Sequence, residues 1–331
     1  MGAVARRQFL SAAGGLLAAS FARAQGRPPH RIGLLPDHVE AYLAWFHEAM
    51  ARQGWRGGRE FALVQPGMLF GEDPDEAARR IVAAAPDAIF ATGTQYALGA
   101  QRHTTRIPTV VWACGYPVEA GIAASLSRPG RNVTGISLYA STSMFSKLLE
   151  LLRELRPGAK RIGVLMCYVP PMHPQLETDL IYRDLRQGAS RLGLAIHFSP
   201  LARPDQVEAA LRDLAASAPD AVFLTTGASL WPVRQRVLGL ALEKRWPTLT
   251  DIRWAPWDAL QPLISYGPSS QGLIDQAVPY LVRILRDGAK AGELPIQQPA
   301  KFELSVNLRS AKALGFEVPS RLLLQADQVI E

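Results

Sequence analysis

Two Thr-Gly steps carry the most chemical promise in this chain. Thr92-Gly93-Thr94 offers two hydroxyls and, ahead of an expected helix, free backbone N–H groups that together could cradle an anion such as a carboxylate. Thr226-Gly227 could do the same from a second position. Asp37, in Pro36-Asp37-His38, and Asp251 are suited to an ammonium group, Arg253 to a second carboxylate, and Tyr116, Tyr168 and Trp254 to stacking on a flat or apolar ligand body. Each has a plainer alternative. Thr92 and Thr226 can cap the helices they precede, Asp37 can cap the helix holding Tyr42, Arg253 can form a surface or hinge ion pair, and Trp254 with Trp257 can pack beneath a hinge.

This is chemistry for holding a small solute rather than transforming one. The chain has no phosphate loop with its lysine, no Gly-x-Gly-x-x-Gly after the first strand and no complete nucleophile elbow, Gly227-Ala228-Ser229-Leu230-Trp231 lacking the last glycine. His47-Glu48 has no second histidine, and His38, His47, His103, His173 and His197 show no metal-ligand spacing. His173, following two prolines, reads as a solvent-facing loop residue. No catalytic group, metal or cofactor is expected.

The elements that position these residues announce themselves by repetition. Arg31-Ile32-Gly33-Leu34-Leu35 returns as Arg161-Ile162-Gly163-Val164-Leu165, Ala85-Pro86-Asp87-Ala88-Ile89-Phe90 as Ala218-Pro219-Asp220-Ala221-Val222-Phe223, and Pro108-Thr109-Val110 as Pro247-Thr248-Leu249. The order is kept, and the offsets of 130, 133 and 139 drift as surface-loop insertions would make them. At 331 residues the chain also exceeds what one hydrophobic core usually serves, so two similar lobes in tandem are expected, with a crevice between them.

Short apolar runs near 31–35, 61–65, 88–91, 109–113, 133–138, 161–166, 195–199, 221–225, 248–250 and 301–307 read as strands. Helical spacing covers Glu40–Gln53, Asp75–Ala84, Gln95–Thr104, Ser143–Leu155, Thr178–Leu192, Asp205–Ala216, Trp231–Glu243 and Gln271–Arg286, with Asp73-Pro74 and Ser269-Ser270 as starts. Such alternation predicts an α/β chain of two Rossmann-like lobes with parallel sheets. Ligands of these sheets bind beyond the carboxyl ends of the strands, which is where every candidate above falls.

The first two dozen residues read as an export signal, residues 1–24. Arg6-Arg7 precedes an apolar run from Phe9 to Phe21 and then Ala22-Arg23-Ala24, a small-x-small cleavage form. Ala5-Arg6-Arg7-Gln8-Phe9-Leu10-Ser11 looks like the twin-arginine type, departing from it at Ala5 and Ser11, with an ordinary secretory signal as the alternative. No cysteine lies near the expected cut after Ala24, which favours a free periplasmic protein over a lipid-anchored one. The formal charge of +7 falls by three to +4 when Arg6, Arg7 and Arg23 leave, and the remaining Lys and Arg are dispersed, so nucleic acid is a poor partner. Cys114 and Cys167 end strands of different lobes, and two free, half-buried thiols are expected in preference to a bridge that would pin the crevice shut.

Pro117-Val118-Glu119-Ala120-Gly121, Ser125-Leu126-Ser127-Arg128-Pro129-Gly130-Arg131-Asn132-Val133-Thr134-Gly135, Ser265-Tyr266-Gly267-Pro268, and Lys301-Phe302-Glu303-Leu304-Ser305-Val306-Asn307-Leu308 running into Ala311-Lys312-Ala313-Leu314-Gly315 together resemble the ABC-transporter substrate-binding family that includes tryptophan- and tyrosine-binding lipoproteins. The resemblance implies a type I periplasmic binding fold joined by a three-crossing hinge, a small-molecule ligand, and an ABC permease as partner. The crossings are expected near Ser137–Ala140, Leu263–Tyr266 and Pro295–Pro299, giving an N-terminal lobe of 27–138 plus 266–295 and a C-terminal lobe of 139–265 plus 296–331. Two departures fall on the crevice rim. Tyr116-Pro117-Val118 stands where the family usually has Asp-Pro-Val, and Cys167-Tyr168-Val169-Pro170-Pro171-Met172-His173-Pro174 replaces an Asn/Pro-rich segment. Both add aromatic or apolar groups and point to an aromatic or hydrophobic amino acid, or an aromatic carboxylate, held by hinge closure of a monomer. A sensor module feeding a receptor, and a periplasmic enzyme on the same scaffold, are the alternatives.

Overall fold

The structure, a computed structural model, describes residues 28–35, 40–65, 67, 72–139, 144–254 and 259–331. The export signal and the pair Asp37 and His38 lie outside the described residues. The first sheet holds β1 (His30–Leu35), β2 (Phe61–Val64), β3 (Ala88–Thr92), β4 (Thr109–Cys114) and β5 (Val133–Ser137) in the order β2-β1-β3-β4-β5. The second holds β6 (Arg161–Met166), β7 (Ala195–Pro200), β8 (Ala221–Leu224), β9 (Thr248–Thr250), β10 (Ile264–Gly267), β11 (Glu303–Asn307) and β12 (Gln328–Ile330), ordered β12-β11-β10-β9-β8-β6-β7. Its first five strands thus repeat the order of the first sheet, and the two sheets are the two lobes of a type I binding fold.

The repeat is physical as well as textual. Ala85 and Ala218 both sit in the left-handed region, at φ 48° and 46°, turning the chain into Pro86-Asp87 and Pro219-Asp220. Asp87 Oδ2 then accepts from Arg31 N at 2.7 Å, and Asp220 Oδ2 from Arg161 N at 2.9 Å. Gly33 and Gly163 leave room for the returning helix: a Cβ there would lie 2.7 Å from Ile81 Cγ1 and 2.5 Å from Leu214 Cδ1.

Helices α1 (Glu40–Arg52), α2 (Pro74–Ala83), α3 (Gly93–His103) and α8 (Ser270–Asp287) pack on the first sheet. Helices α4 (Met144–Leu155), α5 (Gln175–Arg191), α6 (Val207–Ala216) and α7 (Arg234–Glu243) belong to the second, and α9 (Leu308–Leu314) and α10 (Ser320–Gln325) follow β11. The expected helix starts hold: Asp73 accepts from Asp75 N at 2.8 Å, and Ser269 from Gly272 N at 3.1 Å. The long apolar faces of α4 and α8 bury Phe145, Leu148 and Leu152 in one lobe and Ile274, Val278 and Leu281 in the other, each side chain contributing roughly 1.5–3 kcal/mol of transfer free energy.

The structure sharpens the sequence reading at three points. The sheets are not wholly parallel, because β10 and β11 pair antiparallel, Ser265 opposite Ser305. Near Leu263–Tyr266 the chain runs as the strand Ile264–Gly267, bonded to both Leu249's and Val306's strands, and passes to α8 at 268–269. The short elements β12, α9 and α10 went unread. The other two crossings run from β5 to α4 and from the Gln297 bridge beside Ile136 to β11.

Candidate functional site

Five of the expected residues converge. Thr92, Gly93, Thr94, Tyr168 and Thr226 line a cavity between the lobes of about 60 Å³. It is also walled by Tyr42, Trp112 and Gln95 from the first lobe and His173 and Trp231 from the second. Tyr42, Trp112, Gln95 and Trp231 carry no site reading in the sequence and His173 reads there as solvent-facing, although Trp112 stands near the carboxyl end of β4 and Trp231 follows β8, where strand-end logic applies. The rings form one cluster: Tyr42 lies 5.0 Å from Trp112 and 5.7 Å, centroid to centroid, from Trp231 across the crevice. Trp254 is 95% buried behind Trp231, at 6.1 Å, as packing rather than a stacking face.

Thr92 precedes α3 but makes no side-chain cap, so its hydroxyl is left to the cavity. Thr94 is already committed. Its Oγ1 donates to Glu177 Oε1 at 3.0 Å and accepts from the Gly115 N–H at 3.0 Å, which ties the first lobe to helix α5 of the second. Glu177 is fully buried, and its Oε2 lies 3.0 Å from His173 Nδ1. His173 is therefore not solvent-facing: the ring is 4% exposed, pressed edge-on against Tyr168 at 4.8 Å, because Pro174 opens α5 and turns it inward. A sequence signal existed in the i, i+4 spacing of His173 and Glu177.

Thr226 cannot cap a helix, since α7 begins eight residues later. Its hydroxyl pairs with that of Thr250 at 2.9 Å, its carbonyl accepts from the Tyr168 hydroxyl, and its N–H donates to Asp251 Oδ1 at 2.9 Å. Asp251 lies beneath the cavity wall, fully buried, and Oδ2 takes the Tyr139 hydroxyl at 3.0 Å. It is a brace for the Thr226 strand tip. Tyr139 in turn packs on Tyr116, Phe145 and Tyr168, carrying the hinge segment into both lobes. Tyr116 is buried in that cluster and does not line the cavity. Arg253 faces away, toward Glu303 at 3.4 Å and Gln328 at 3.0 Å, which is the ion-pair alternative.

Burial pushes the Asp251 carboxyl up from its ordinary value, opposed by the hydrogen bonds of Thr226 and Tyr139. Its raised native value means that its stabilisation is whole below the usual carboxylate value and is lost as pH rises through the native one. Asp251→Asn keeps an acceptor for Thr226 N–H while removing the buried charge. The stability of this variant relative to wild type, followed by denaturant titration between about pH 4 and 8, should therefore rise with pH. An offset between the two proteins that is constant over that range would contradict the buried charge.

Both cysteines are free and fully buried, not half-buried. Burial, with the Glu177 charge second, raises the Cys114 thiol well above its ordinary value, and burial pushes Cys167 up to about 12. Neither is a nucleophile in this state. Among the described residues no three His, Cys, Asp or Glu side chains gather as a metal site, and no helix is long and apolar enough to cross a membrane.

A family model described as ABC transporter substrate binding protein matches residues 72–330. Over 88 residues the chain is 43% identical to a tyrosine-binding protein of Clostridioides difficile (strain R20291), a match over 27% of this chain and 25% of that protein. The chain thus spans about a quarter of the length of this curated relative. The ABC domain in complex with L-Trp from Streptococcus pneumonia superposes with a TM-score of 0.78 at 19% identity, over 91% of this chain and 100% of that one. A conserved domain protein from Vibrio cholerae gives 0.77 at 21% identity, over 90% and 98%. The ligand-free, open structure of a substrate binding protein with adhesive properties from Clostridium difficile gives 0.60 at 24%, over 91% and 99%.

Proposed function

Because this chain belongs to the ABC transporter substrate-binding protein family, we propose that it captures an aromatic amino acid between its lobes and delivers it, closed, to a membrane permease. The observation that carries this reading is the ring of Tyr42, Trp112, Tyr168 and Trp231, drawn from both lobes around the amino-terminal end of α3. Aromatic walls favour a flat apolar body, and the polar side chains among them, Thr92, Gln95 and His173, favour the charged end of an amino acid. The ligands named for two relatives, tyrosine and L-Trp, have both parts.

The size of the cavity supports hinge closure. A cavity of about 60 Å³ holds little more than two waters' share of liquid volume, roughly 30 Å³ each, so Tyr42 and Trp231 must part to admit an aromatic solute. The lobes then close over it. Export by the N-terminal signal with cleavage after Ala24 would place a free monomer in the periplasm, where such a permease collects its cargo. Calorimetry with L-tryptophan and L-tyrosine, paired with small-angle scattering, tests this. Binding with a smaller radius of gyration is expected. No heat with any aromatic amino or carboxylic acid, alongside tight binding of a sugar, would overturn it.

A further inference from the structure

Behind the aromatic ring sits a buried histidine–glutamate pair that solute capture by aromatic walls does not require. Glu177 is completely buried where the lobes meet, and a carboxylate removed from water without a counter-charge is costly. Thr94 Oγ1 supplies one hydrogen bond and His173 Nδ1 the other contact. Among the described residues lining the crevice, His173 is the only one able to carry positive charge. Its other nitrogen, Nε2, hydrogen-bonds no described residue, and the ring borders the cavity.

The surroundings select what His173 can offer. The Tyr168 hydroxyl is spent on Thr226 and the Tyr139 hydroxyl on Asp251, while the Cys114 thiol and the Tyr116 phenol are both held neutral by burial. Asp251 lies behind the Thr226 strand tip. Glu177 is thus the one acid in direct contact with the imidazole. Gln95 Oε1, 95% buried as a residue and without a partner, supplies an acceptor on the same cavity wall, suited to the ligand's ammonium rather than its acid.

We propose that His173 is the residue that recognises the ligand's carboxylate, its imidazole bridging Glu177 through Nδ1 and the bound carboxylate through Nε2. One proton sits on Nε2 and one is shared along the line from Nδ1 to Glu177 Oε2, so the pair meets an anion with a donor while its own charge is balanced. Glu177 is a positioning residue that orients the ring, as carboxylates orient histidines elsewhere. The inference deepens the crevice reading and rests on it for the place of the ligand.

The test compares L-tryptophan with tryptamine, which lacks the carboxylate, by calorimetry on the full chain. His173→Gln should weaken L-tryptophan about 10- to 100-fold, the range of a hydrogen bond to a charged group, and change tryptamine by less than about threefold. Glu177→Gln, which keeps the Thr94 contact, should show the same selectivity at smaller size. Equal losses for both probes would make the pair a closure contact only and overturn the proposal. A second arm needs no aromatic ligand: acetate should move the His173 Nε2 resonance in wild type and move it less in Glu177→Gln. Unmoved by acetate, His173 is not a carboxylate reader. An acetate response with no binding of either indole compound would instead retire the aromatic ligand and keep the carboxylate seat.

Discussion

Gly115→Ala should leave both lobes folded and yet hold them apart. A Cβ at this position would stand 1.9 Å from Glu177 Oε1 and 3.1 Å from its Cδ, so the two cannot coexist in the closed form. The Glu177 side chain cannot simply swing aside. It is enclosed, with Thr94 on one oxygen and His173 on the other, and turning away would leave a buried carboxylate unpaired. Separation of the lobes is the cheaper response, since it moves Glu177 and Gly115 apart as rigid bodies. Ligand affinity should fall at least tenfold, because the competent closed state becomes a minor one, and scattering should show an expanded particle with or without ligand. The melting transition of ligand-free protein should hardly move. Adding Glu177→Ala removes the obstruction and should restore compaction. A Gly115→Ala protein that closes like wild type would refute the inter-lobe contact.

Gly135→Ala should instead destroy the first lobe. This residue sits at φ +139°, and a Cβ would lie 1.8 Å from Val111 O and 2.7 Å from Val111 C. Both obstructing atoms are backbone in the neighbouring strand, paired in register as Val111 with Gly135, so no side chain can retreat. Strands β4 and β5 would have to separate, and Gln297 N, which donates to Gly135 O at 3.0 Å, would lose its anchor. A loss above about 4 kcal/mol is expected, seen as a missing unfolding transition or insoluble protein. Stability within about 1 kcal/mol of wild type would contradict the register.

What the residues reveal of the fold divides by range along the chain. The longer local patterns were legible, while the short elements β12, α9 and α10 were not. The doubled Ala-Pro-Asp strings set a left-handed alanine, a proline and a capping aspartate in both lobes, and the strand tips at Thr92 and Thr226 do face one cavity. Strand β10 was misread because Gly267-Pro268 looks like a hinge, and only its two neighbours, β9 and β11, reveal it as interior. The crevice was half legible. Tyr168 was found from its place after β6, but Glu177, mid-surface on a polar helix by its neighbours Leu176 and Asp179, gives no local sign of burial. Its environment is made by Thr94 and Gly115, 83 and 62 residues away in the other lobe. The same holds for Asp251, which reads as a ligand group until Tyr139 and Thr226 are brought over it.

The threading of the chain also governs how the molecule is made. Helix α8 covers one face of β4 and β5 and packs beside α1, but it is built from residues 270–287, after nearly all of the second lobe. As synthesis proceeds from the amino terminus, the first sheet is available more than a hundred residues before its cover. Until then the surface awaiting Ile274, Val278 and Leu281 stays wet and adhesive. The second lobe can assemble most of its sheet while the first is still incomplete, so maturation ends with the late return of α8 to the half that was written first.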